Sequence, residues 1–178
     1  MNKHIRRLTT CGIFAAIICV VTTFVAVPAP AIGNINLGDI FILCAGWILG
    51  PWGAVAAGVG ACLADILSGF AVYAPATLII KALVALTCYY CYSLFVKLFK
   101  NSKIGYLLSR LISALLAESI MVLGYFAFES VLYGISPAIA SIPFNLIQAV
   151  VCFIIGTVVC HLLMQSSAIR HFSKSLIK

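Results

Sequence analysis

Six long apolar runs, each bounded by proline, glycine or basic residues, leave this 178-residue chain few ways to fold. A helix that crosses a bilayer needs about 20 mostly apolar residues at 1.5 Å rise each. The runs predict helices over about residues 8–27, 36–49, 53–70, 75–99, 104–133 and 138–164. The second and third are short, so tilt or enclosure by the other helices is expected. Pro28-Ala29-Pro30 stops the first run. Gly50-Pro51-Trp52-Gly53 predicts a tight turn between the second and third, because proline sets φ and glycine permits the reversal. A cleaved signal peptide fits poorly, since the first run is too long and lacks a small-residue cleavage site.

Composition supports the same reading. With 64% hydrophobic and 8% charged residues, the chain cannot cover a water-facing surface, whereas lipid-facing helices can be apolar all round. The expectation is an all-α integral membrane protein, one membrane domain over residues 1–178, with six transmembrane helices. Orientation follows from the basic residues. Lys3, Arg6, Arg7, Lys97, Lys100, Lys103, Arg110, Arg170, Lys174 and Lys178 all fall on one side if both termini are cytoplasmic, and only Lys81 lies within a span. That is the positive-inside pattern of a multi-pass plasma-membrane protein. The formal charge of +7 is accounted for by these flanks against anionic lipid, so no nucleic-acid partner is implied.

The eight cysteines lie inside the predicted spans, where a thiol acts as a small hydrophobe suited to close helix packing. Cys88 and Cys91 form an isolated C-x-x-C, and the three histidines lack ligand spacing, so neither a metal nor a cofactor is expected. No G-x-x-x-x-G-K-[ST] loop is present, and no nucleophile-and-base constellation marks an enzyme.

Ionisable groups in hydrocarbon are costly, so the few within spans mark the candidate site. Asp39, Asp65, Lys81, Glu129, Asn145 and Gln148 fall towards the outer side, and Glu118 near mid-depth. At 100° per residue, Glu118, Tyr125 and Glu129 share one face of the fifth helix. Asn145 and Gln148 share a face of the sixth with Ser141 and Cys152, and Thr77 shares one of the fourth with Lys81. If these stripes converge, they form an outward-opening polar pocket for a small heterocycle, covered by residues 29–36. Structural alternatives stand beside this: Asp39 as a helix cap, Asp65 with Lys81 as an interhelical ion pair, Glu129 solvated among headgroups, and Asn145 and Gln148 as interhelical glue.

The run Asn36-Leu37-Gly38-Asp39, then Leu49-Gly50-Pro51 with Gly53, Gly58 and Gly60, then Ala64-Asp65 with Ser68-Gly69, then Tyr73-Ala74-Pro75-Ala76-Thr77-Leu78-Ile79-Ile80-Lys81 resembles the substrate-binding S component of energy-coupling factor (ECF) vitamin transporters. The similar branch is the riboflavin-type group, which includes hydroxymethylpyrimidine and pyridoxine binders. After Lys81 the sequence Ala82-Leu83-Val84 departs from the Gly-Leu-Glu of some hydroxymethylpyrimidine-type members. The resemblance implies a vitamin or precursor bound near the outer face, the same side as the polar stripes, and the candidate binding residues are Asn36, Lys81, Glu118, Tyr125, Glu129, Asn145 and Gln148. It also implies a membrane T component and two cytoplasmic ATPases as partners, in a prokaryotic plasma membrane. Family members dock on the T component through small residues of the first helix. Here the matching stripes are Gly12 with Ala16, and Cys11 with Ala15 and Cys19. A self-contained secondary carrier using Glu118 or Glu129 as a proton relay is the rival, although no inverted repeat or broken helix pair is evident.

Overall fold

The computed structural model describes residues 3–28, 34–100 and 102–177. Among them are seven helices and one two-stranded ribbon: α1 (Lys3–Phe24), β1 (Ala26–Pro28), β2 (Asn34–Asn36), α2 (Gly38–Leu49), α3 (Trp52–Leu67), α4 (Ala74–Leu98), α5 (Lys103–Tyr133), α6 (Ile135–Leu163) and α7 (Ser167–Ile177). Helices α1, α4, α5 and α6 are long and apolar enough to cross a membrane. At 1.5 Å per residue, α2 with 12 residues and α3 with 16 measure about 18 and 24 Å, short of a hydrocarbon core of about 30 Å.

The short α2 is the centre of the bundle. It is walled by α1, α3, α4 and α6, and every residue from Gly38 to Leu49 except Phe41 is buried. Protein rather than lipid surrounds it, which removes the need for a full-length apolar run. The α2–α3 reversal turns at Gly50, whose φ of 64° suits glycine, and the Gly53 N–H closes the turn on the Gly50 carbonyl at 2.9 Å. The outer helices pack through small residues. A methyl on Gly58 would sit 2.7 Å from the Leu78 carbonyl oxygen, and one on Gly60 would sit 2.5 Å from that of Ala15, so α3 meets α4 and α1 almost backbone to backbone.

Four boundaries differ from the sequence reading. Helix α1 ends at Phe24 rather than residue 27, because Ala26, Val27 and Pro28 pair antiparallel with Asn36, Ile35 and Asn34. Asn36 is therefore a strand residue, and α2 starts at Gly38, whose N–H donates to Asn36 Oδ1 at 3.0 Å. Helix α3 stops at Leu67, and the chain passes through Gly69 at φ 83° before α4 begins. Helix α6 begins at Ile135, directly after Gly134, since Pro137 is tolerated in a first turn. The seventh helix was not anticipated, being amphipathic and too short to span. Its Ser173 hydroxyl donates to the Ile48 carbonyl at 2.9 Å, and Phe172 lies under the Arg6 guanidinium at 5.1 Å, docking it across the ends of α1 and α2. Of the predicted cover, residues 29–33 lie outside the described residues.

Candidate functional site

At the end of the bundle opposite α7, the ribbon, the α3–α4 connection and the outer ends of α4, α5 and α6 enclose a small cavity that opens at its mouth. Strand β2 supplies Asn34, Ile35 and Asn36, and Thr22 reaches it from α1. Asp65 and Ser68 come from the end of α3, Phe70 and Tyr73 from the connection, and Thr77 from α4. Tyr125 and Glu129 face it from α5, one turn apart, and Phe144, Asn145 and Gln148 from α6. The cavity thus brings together Tyr125 and Glu129 of the α5 stripe, Asn145 and Gln148 of the α6 stripe and Thr77 of α4, but not Glu118 or Lys81. The contributions of α1, β2 and α3 were not assigned from spacing, because they depend on how short segments cross the top of the bundle.

Beneath the cavity runs a closed polar network. Lys81 Nζ donates to both Asp39 oxygens, at 2.7 and 2.8 Å, with the two side chains 3% and 0% exposed. The alternative in which Asp65 pairs with Lys81 is therefore not the one formed. Asp39, one residue into α2, faces the bundle interior and Lys81, whereas Asp65 sits at the mouth. Asp39 makes no cap contact, so the capping alternative fails as well. Gln148 Nε2 donates to Asp39 Oδ2 at 2.6 Å, and its Oε1 accepts from the Asn36 N–H at 2.8 Å. The amide of Gln148 therefore bridges β2 to the ion pair. The Lys81 ammonium lies 5.2 Å from the centre of the Tyr125 ring, and the Tyr125 hydroxyl is 3.0 Å from that of Thr77. Lys81 supports the floor but does not line the cavity.

The upper walls are different. Thr22 Oγ1, Asp65 Oδ2, the Tyr73 hydroxyl and Asn145 Nδ2 are buried atoms with no hydrogen-bond partner within the described residues, and all four residues line the cavity. Glu129 accepts from the Ser141 hydroxyl, which ties α5 to α6. Tyr73 packs edge-on to Phe128 at 5.3 Å and against Tyr125 and Tyr133 at 6.4 and 6.3 Å, forming an aromatic side to the mouth.

Two sequence-predicted groups lie elsewhere. Glu118 is buried two turns deeper than Tyr125, in an apolar cleft between α5 and α6 lined by residues such as Val122, Ala149 and Phe153. Neither of its oxygens has a partner among the described residues. On α1 the two small-residue stripes diverge. Cys11 is buried with its thiol 3.5 Å from the Trp52 carbonyl, Ala15 backs onto Gly60, and Cys19 is half-buried, whereas Gly12 and Ala16 are exposed.

The sequence profile described as the ECF-type riboflavin transporter S component matches residues 2–165. The chain belongs to this family. It is a multi-pass membrane protein and the substrate-binding subunit of an ECF vitamin transporter. It is 30% identical to the thiamine precursor transporter HmpT of Lactococcus lactis subsp. cremoris, over 98% of this chain and 97% of that one. It is also 36% identical to an uncharacterized protein in the gap 3' region of Pyrococcus woesei, over 78% of this chain and 88% of that one. A solved S component of a bacterial ECF transporter superposes with a TM-score of 0.68 at 25% identity, covering 91% of this chain and 97% of the other.

Proposed function

We propose that the S component binds a small vitamin precursor of the hydroxymethylpyrimidine or pyridoxine type in the outer cavity. The observation that carries this reading is the coincidence of four unpartnered polar atoms with one aromatic-walled space. Buried polar atoms are rarely left without partners, so a set of them facing one cavity suits a ligand that completes their bonds. Similarity to a thiamine precursor transporter favours the pyrimidine over riboflavin. Asn145 and Tyr125 are the intended direct contacts, while Asn36 and Gln148 hold the floor at its edge.

The proposed topology has six spans and cytoplasmic termini. Arg6, Arg7 and Arg170 gather at the end of the bundle opposite the cavity, which supports an outward-facing mouth. The short α2 and α3 complete the six, α2 enclosed at the centre and α3 packed between α1 and α4 with an apolar face turned outward. A membrane T component and two ATPases would supply coupling, with the exposed Gly12–Ala16 stripe as the docking face.

Isothermal titration of monodisperse protein with hydroxymethylpyrimidine, pyridoxine and riboflavin tests the ligand reading. Saturable binding of the pyrimidine or pyridoxine is expected. Binding of riboflavin alone would overturn it. Uptake into lipid vesicles by the purified chain without other subunits would instead establish the secondary carrier.

A further inference from the structure

Resting on that reading of the cavity, we propose that Asp65 selects ligands by accepting a hydrogen bond from an amino group on the heterocycle. The argument is a count of charges and donors. Among the described residues, two carboxylates, Asp65 and Glu129, line the cavity, and no Lys, Arg or His does. The nearest cation, Lys81, already donates to both oxygens of Asp39, so it is matched before any ligand arrives. Glu129 accepts from Ser141, whereas Asp65 Oδ2 is buried and accepts from nothing among the described residues. A carboxylate oxygen held out of water is stabilised by a donor beside it. Asp65 is half-buried and Thr77 lies close enough to donate to its carboxyl, so the oxygen left open is Oδ2, and an N–H group of the ligand would complete it. Asn145 Nδ2, which has no partner among the described residues, can donate to a ring nitrogen. An aminopyrimidine presents both features, an exocyclic N–H donor and ring-nitrogen acceptors. The corresponding pyrimidinone places a carbonyl where the amino group stood, setting an acceptor against a carboxylate.

The test is titration of the full chain with 4-amino-5-hydroxymethyl-2-methylpyrimidine and with its 4-oxo analogue, using wild type, Asp65→Asn and Asn145→Ala. Wild type is expected to prefer the amino compound by roughly 10- to 150-fold, the worth of one hydrogen bond to a charged group. In Asp65→Asn that preference should fall to within about threefold while thermal unfolding stays unchanged. Equal affinity of wild type for the two compounds overturns the proposal without reference to any variant. So does an unchanged preference in Asp65→Asn, or binding of neither pyrimidine. In those cases, loss of affinity in Asn145→Ala for whichever vitamin does bind would still leave the cavity as the site. Binding indifferent to both substitutions would remove the cavity reading itself.

Discussion

The floor and the walls of the outer cavity are built from the same kinds of residue, yet they are employed differently. In the floor, Asp39, Lys81, Gln148 and the Asn36 backbone are joined by four bonds of 2.6–2.8 Å. In the walls, Asp65, Tyr73, Asn145 and Thr22 each hold a buried atom that bonds to nothing among the described residues. A closed network stabilises the packing of α2 against α4 and α6. An open one costs stability until something enters and completes it. On the proposed reading of the cavity, the contrast separates structural polar residues from binding ones without reference to residue type.

The largest expected effect falls on the floor. Asp39→Ala or Lys81→Ala strands the opposite charge in the interior and should cost about 3–5 kcal/mol, read as a fall in the thermal unfolding temperature of the purified protein. The double variant Asp39→Leu with Lys81→Met should regain much of that loss, since replacing both charges by apolar groups removes the penalty. If each single variant melted like wild type, the floor would not be the stabilising region described.

Gln148 sits on the boundary. Gln148→Ala removes a bond to a carboxylate and frees β2, so both melting temperature and ligand affinity should drop, the affinity at least about tenfold. A fall in affinity alone would move Gln148 into the group of direct ligands. The same inward–outward distinction applies on α1. Ala15→Trp forces bulk against Gly60 and should destabilise the protein by about 1–3 kcal/mol or more. Ala16→Trp, on the exposed stripe, should leave binding and melting intact but reduce uptake in cells carrying the other transporter subunits. Equal damage to folding by both would place the whole first-helix face inside the bundle.

Asn145→Ala should weaken binding by about tenfold with no change in melting, the signature of a wall residue. The smallest effect is expected at Glu118. Although its carboxyl has no hydrogen-bond partner among the described residues, it faces the apolar α5–α6 cleft rather than the cavity, so Glu118→Gln should alter affinity by less than about threefold. A larger loss in titration would extend the site downward past Tyr125.

The sequence by itself determined the parts of this protein that depend on local patterns. Apolar length marked the four long helices, and Gly50-Pro51 marked the reversal between the short ones, because a bilayer and a tight turn impose requirements within a few neighbouring residues. Helical spacing likewise placed Tyr125 with Glu129 and Asn145 with Gln148 on single faces that meet in the cavity. The depth of that face was not legible, since seven residues of helix carry Glu118 from the cavity into a different cleft. The choice of Asp39 over Asp65 as partner for Lys81 required tertiary structure too. It depends on α2 being pulled into the centre, which in turn rests on glycines that let α3 approach α1 and α4 at backbone distance. The β1–β2 ribbon and the docked α7 escaped notice for a related reason. A three-residue strand is stabilised by its partner across the loop, and an amphipathic helix by the surface it covers, so neither leaves a long apolar run to read. Which carboxylate is paired with Lys81 and which faces the cavity is thus decided by where whole helices come to rest.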